Sequence, residues 1–166
     1  MTVMKTVTKN ECSRMADQLR RAFEGNAWHG PAVQELLADV SAAQAVARPI
    51  GSAHSIWELL LHIEAWERVT IAAISGTAMP KPMPLEQDFP RIAHEGEAAF
   101  QTAKAELFEV TQQLAAAIEG FDPNRLEDTV PGRSYDFYHL FHGMTQHALY
   151  HAGQIALLKK AVQAAA

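Results

Sequence analysis

The sequence predicts an all-α protein, a four-helix bundle carrying an extra short helix. Four long stretches place apolar residues three and four positions apart, the repeat that keeps them on one helix face. Glycine and proline punctuate the boundaries between those stretches. No segment alternates apolar and polar residues with the β-branched enrichment of a strand, apart from Asp128-Thr129-Val130, which is too short to matter.

The first helix is expected from about Lys9 to Glu24. Thr8-Lys9-Asn10-Glu11 has the form of a capping box, and Met15, Leu19, Ala22 and Phe23 follow at helical spacing. Gly25 and Asn26, which both tolerate the left-handed conformation, end it. Between Trp28 and Ile50, Pro31 followed by Val33, Leu36, Leu37 and Val40 supports one short helix with proline in its first turn. Ser55-Ile56-Trp57-Glu58 is a second capping box and opens a helix that runs to about Ser75, where Gly76 stops it. From Thr77 to Pro90 the chain carries Pro80, Pro82, Pro84 and Pro90, which no helix interior accepts; this is a long ordered loop, either a lid or a connection across the bundle. Arg91 to Glu119 lacks proline and is rich in helix formers, with Gly120 and Pro123 closing the third long helix. The fourth is expected from about Ser134 to Val162, and the terminal alanines read as its frayed end.

With 166 residues the chain is read as one domain, 1–166, long enough to bury about 70% of the surface its unfolded form exposes. Its formal net charge is -5, and its 14 Lys and Arg residues are scattered without a basic stripe, which argues against nucleic acid as a partner. No stretch approaches the roughly 20 apolar residues of a membrane span, and Met1 to Asn10 lacks the apolar centre of a secretory signal. Cys12 is the only cysteine, so neither an internal disulfide nor a cysteine zinc site is possible. A cytoplasmic location follows as the default expectation.

Chemistry concentrates in the eight histidines. His147 and His151 lie four residues apart, and at about 100° per residue both project from one side of the fourth helix. That side also carries Leu140, Gly143, Met144, Gln154, Ile155 and Leu158, so the pair faces the core. His62, flanked at helical spacing by Ser55, Leu59, Trp66, Val69 and Ala73, points inward from the second long helix, with Glu64, Glu67 and Arg68 on the far side. A buried imidazole without partners costs on the order of 1 to 3 kcal/mol, and a divalent metal would satisfy three of them together. Spacing alone also fits ordinary core histidines, so both readings stand at this point. His29, His54, His94, His139 and His142 are taken as structural or solvated, and Trp28, Trp57 and Trp66 as core or interface anchors. Glu58, Tyr150 and Gln154, each within a turn of one of the three histidines, are candidates to support them.

The segments His54-Ser55-Ile56-Trp57-Glu58-Leu59-Leu60-Leu61-His62-Ile63 and Gln146-His147-Ala148-Leu149-Tyr150-His151-Ala152-Gly153-Gln154-Ile155 resemble the DinB/YfiT-like superfamily, over roughly Trp28 to Leu158. The resemblance implies an up-down-down-up bundle, frequently a homodimer, with a histidine triad for a divalent metal, often zinc or nickel. The superfamily's first ligand falls on His62 and its paired ligands on His147 and His151. Relatives include S-transferases that use bacillithiol, mycothiol or glutathione, and a thiol-dependent maleylpyruvate isomerase. The expected function is therefore a metal-dependent transferase acting on a small-molecule substrate with a low-molecular-weight thiol. A metal-dependent hydrolase and a non-catalytic metal-binding stress-response dimer are the alternatives. Cys12, remote from these segments, is not expected to be a nucleophile.

Overall fold

A computed structural model describes residues 10–164. Residues 1–9, with Thr8 of the expected capping box, and the last two alanines lie outside the described residues. Helix α1 spans Glu11–Glu24, and its cap is Asn10, whose side chain accepts from the Ser13 N–H at 2.8 Å. Gly25 and Asn26 follow with φ of 145° and 57°, a reversal that L side chains other than asparagine rarely make. The expected single short helix is in fact two, α2 at Val33–Leu37 and α3 at Ala42–Val46. Pro31 stands ahead of α2 rather than in its first turn. The Glu35 carboxylate accepts from the Ala32 N–H at 2.7 Å to open that helix, and Ser41 with Gln44 opens the next.

Helix α4 covers Ile56–Ile74, capped by Ser55 and Glu58 as the sequence indicates. The proline-rich loop contains one turn of helix, α5 at Leu85–Asp88. Helix α6 begins at Glu97, six residues later than Arg91, because Gly96 with φ 120° turns the chain into it. A 3-10 turn at Pro123–Arg125 then leads to α7, Phe137–Ala164. Ser134 and Tyr135 are not helical: they lie in a bend closed by an isolated antiparallel bridge between Thr129 and Asp136, and the Asp136 carboxylate caps the helix through the His139 N–H at 2.8 Å.

The four long helices form a ring in which α4 packs on α6 and α7, and α1 packs on the same two from the other side. Phe23, Phe100, Phe137, Phe141 and a set of leucines and isoleucines fill the centre. Each such side chain contributes on the order of 1.5 to 3 kcal/mol by leaving water. Cys12 is fully buried among them, and burial pushes its thiol pKa up, in keeping with an unreactive role. No helix among the described residues is long and apolar enough to cross a membrane. Of the tryptophans, Trp57 is core, Trp66 is half-buried, and Trp28 is wholly exposed, so it does not anchor the core of this chain.

One core feature contradicts the sequence expectation. Glu67 was placed on the solvent side of α4 but is 1% exposed, because α6 covers that face, and Glu64 is buried beside it. Glu67 Oε2 lies 2.9 Å from Thr111 Oγ1, which is also 2.9 Å from the Leu107 carbonyl. A hydroxyl has one proton to give. If Thr111 donates to Leu107, it accepts from a protonated Glu67, and burial raises that carboxyl's pKa to about 8 in agreement.

The folded protein therefore holds this proton where the unfolded chain, with an ordinary carboxyl pKa near 4.5, has lost it. The stabilisation is full in acid and disappears as pH rises from about 4.5 to about 8. Glu67→Gln should flatten this fall and make the protein more stable than wild type at pH 8, measured by urea denaturation across the pH range.

Candidate metal centre

Helices α4 and α7 bring His62, His147 and His151 together, although His62 is separated from the pair by 85 residues or more of chain. The pairing follows from the ring order, since α4 and α7 are neighbours and each turns an apolar stripe inward. Ligand-type nitrogens of all three lie within 4.8 Å of one another. His147 Nε2 is 2.9 Å from His62 Nε2 and 3.1 Å from His151 Nε2.

The outer nitrogens fix the tautomers. His62 Nδ1 lies 2.6 Å from the Asp88 main-chain carbonyl, which can only accept, so Nδ1 carries the proton and Nε2 presents a lone pair. His151 Nδ1 donates in the same way to Gln154 Oε1 at 2.7 Å. Two lone pairs thus converge on His147 Nε2, which has at most one proton to share between them. His147 Nδ1 is buried without a hydrogen-bond partner among the described residues. Protein groups alone leave this cluster short of donors, and a cation accepting all three lone pairs removes the shortage. Tetrahedral zinc with nitrogen ligands spaces them about 3.3 Å apart, a few tenths of an ångström wider than the two contacts of His147 Nε2, and all three nitrogens lie within 4.8 Å of one another. The donor set fits a divalent transition metal.

The electrostatics agree. Burial first, then the neighbouring His151 and His62, drive the His147 pKa down to about 3. Burial likewise lowers His62 against the opposing pull of Asp88, and lowers His151 against its bond to Gln154. All three are neutral at pH 7, so protons do not compete for the lone pairs.

The proline-rich loop is fastened over His62. The Asp88 carboxylate accepts from the Trp66 indole N–H at 2.8 Å and sits 3.1 Å from His62 Nδ1. Phe89 is stacked between two histidines, 4.1 Å from the His62 ring and 3.8 Å from that of His54. Upstream, the Met79 N–H donates to the Pro131 carbonyl at 2.9 Å, and Gly132 lies so close that a Cβ there would meet the Met79 carbonyl at 2.6 Å. Only glycine permits this approach.

Beside the imidazoles a cavity of about 410 Å³ opens, walled by Trp66, Leu140, Gly143 and Met144, with Asp88 and the rim residues Tyr135, His139 and Tyr150. Of the supporting residues expected from sequence, Gln154 does hold a histidine and Tyr150 lines the cavity. Glu58 does neither; it is spent on Arg48 at 2.5 Å and on the Ser55 N–H at 2.8 Å. Asp88, Phe89 and Tyr135 were missed, and His54 and His139 were assigned no part in the site. The trace of Asp88 and Phe89 in the sequence is an acid and an aromatic inside an otherwise proline-punctuated loop, and only the fold shows which helix that loop covers. His142 is half-buried against Tyr138 with an unpartnered Nε2, while His29 and His94 are exposed.

Fold and site together define a helical bundle with a buried three-imidazole cluster able to hold a metal ion beside an open cavity. The family model of the DinB superfamily matches residues 27–155, most of the chain, and the protein belongs to that superfamily. No curated protein and no solved structure matches it.

Gln154→Leu strips the acceptor from His151 Nδ1 without touching a nitrogen of the cluster. Zinc affinity should fall about 10- to 100-fold with unchanged helical circular dichroism, as measured by competition with a chromophoric chelator.

Proposed function

We propose that this protein is a metal-dependent enzyme that joins a small-molecule thiol to an electrophilic substrate, with His62, His147 and His151 holding the metal. The observation that carries this reading is the convergence of three neutral imidazoles at the wall of a cavity. Three protein nitrogens leave coordination positions to a substrate, whereas structural zinc normally takes four protein ligands. A divalent ion, zinc or nickel being the expected choices, supplies a Lewis acid that lowers the pKa of a thiol to make it nucleophilic at neutral pH.

The protein's own groups do the rest. Asp88 and Gln154 keep His62 and His151 in the tautomers that face inward. Trp66, Leu140 and Met144 reduce water at that end of the cavity. His139, whose ring makes no hydrogen bond among the described residues, is the rim group available to take the thiol proton. A cytoplasmic location and a homodimer belong to the same reading. The fully exposed Trp28 and largely exposed Leu157 are apolar surface that a second copy would cover.

Elemental analysis of tag-free protein should give about one equivalent of a transition metal, absent from the His62→Ala, His147→Ala, His151→Ala triple variant. A panel of thiols and electrophiles should then show conjugation in wild type, lost in the triple variant and slowed in His139→Ala at full metal content. Metal retained by the triple variant would overturn the assignment of the ligands. Metal without conjugation of any pair would leave a non-catalytic stress-response protein as the better reading.

A further inference from the structure

The cavity beside the imidazoles has an unusual balance of chemistry. No lysine or arginine lines it, and its one carboxylate, Asp88, is already turned toward Trp66 and His62. In the metal-free protein a negatively charged group placed there would give up part of its hydration without a counter-charge from the cavity walls, which is unfavourable. Most of the surface is instead apolar: the Trp66 indole, Leu140 and the Met144 thioether. Met144 is held in place by Thr70, whose hydroxyl lies 3.2 Å from its sulfur.

Gly143 is the informative position. It lies one helical turn before His147, inside a 28-residue helix where glycine is a poor former. No backbone requirement explains it, since it has no left-handed φ, and a Cβ built there would meet no atom within 4 Å. The missing side chain therefore accommodates no part of the protein. What it leaves is open space at the cavity wall, which the tilted pair of Tyr135 and His139, with rings 5.0 Å apart, also lines.

We propose that this slot binds an uncharged, flat apolar group, an aromatic ring above all, and that Gly143 sets the width of the slot. Calling the occupant part of the substrate rests on the function proposed above: the ring would be carried by the electrophile, with its reactive atom directed toward the imidazoles. Trp66 and the rim aromatics supply ring faces, the Met144 sulfur a polarizable contact, and the Tyr135 and Tyr150 hydroxyls polar partners at the mouth. In the metal-free protein the slot selects against anionic charge, and in both forms against bulk at Gly143.

The test is binding, independent of turnover. The full-length protein, stripped of metal by chelator and again after zinc is added, is titrated with benzyl alcohol and with benzenesulfonate, following the Met144 methyl and Trp66 indole signals by NMR. Benzyl alcohol should shift both signals saturably in either form, and benzenesulfonate should bind at least tenfold more weakly to the metal-free protein. Gly143→Ala, a better helix former, should lower the affinity for benzyl alcohol several-fold. Gly143→Leu should abolish the saturable shift, with wild-type zinc stoichiometry and helical content in both variants. Equal or tighter binding of the sulfonate to the metal-free protein, or wild-type affinity for benzyl alcohol in a folded Gly143→Ala variant, would overturn the proposal. If zinc binds stoichiometrically and benzyl alcohol does not, the slot is refuted and the metal centre stands. If benzyl alcohol binds and zinc does not, the slot stands and the metal-dependent reading fails.

Discussion

Three imidazole lone pairs pointed at one place are a constraint that the surrounding structure has to meet. Each ring must be neutral, must carry its proton on the outer nitrogen and must be held against rotation. Burial enforces the first condition by penalising the charged form. The Asp88 carbonyl and Gln154 enforce the second for two of the rings, and aromatic packing by Phe89 and Trp66 helps with the third. Only a rigid bundle can bring such groups within 5 Å of one another from helices so far apart in sequence. Without a cation such a cluster leaves lone pairs unmatched in the core, and the three imidazoles are placed so that one metal ion could take them all.

The proline-rich loop takes its meaning from this cluster. Its prolines deny it a long helix, and main-chain bonding at Met79 with the close approach of Gly132 anchors one end to the segment before α7. The other end delivers a carbonyl, a carboxylate and a ring to His62. One connection thus spans the bundle and also walls the site. Of the two readings open at the sequence level, lid and crossing, the structure shows the crossing. What the loop leaves uncovered is the largely apolar cavity, which no lysine or arginine lines.

Burial of a polar group is handled differently away from the site. Glu67 answers it by keeping its proton and sharing a hydrogen-bond chain with Thr111 and the Leu107 carbonyl. The histidines answer it by staying neutral, His62 and His151 keeping a single proton on Nδ1 and offering the Nε2 lone pair. Both solutions avoid a bare charge in the core, and only the second creates a place for a ligand. A buried polar residue by itself is therefore poor evidence for chemistry; what counts is where its unpaired valence points.

Much of this protein was determined locally. Capping residues, helical spacing and glycine or proline stops act within a few residues of chain, so Ser55 with Glu58, Gly25 with Asn26, and Gly120 could be read directly. The inward direction of His62, His147 and His151 was legible for the same reason, because helical periodicity is a local property. The start of α6 at Glu97 and of α7 at Phe137 was not, since these depend on Gly96 and on the bridge between Thr129 and Asp136. Which face of α4 meets α6 was also invisible, and so Glu67 was put on the wrong side. Asp88 and Phe89 lie 26 and 27 positions beyond the histidine they support. Their role arises from how the chain crosses the bundle, and long-range packing, not local preference, decides that crossing.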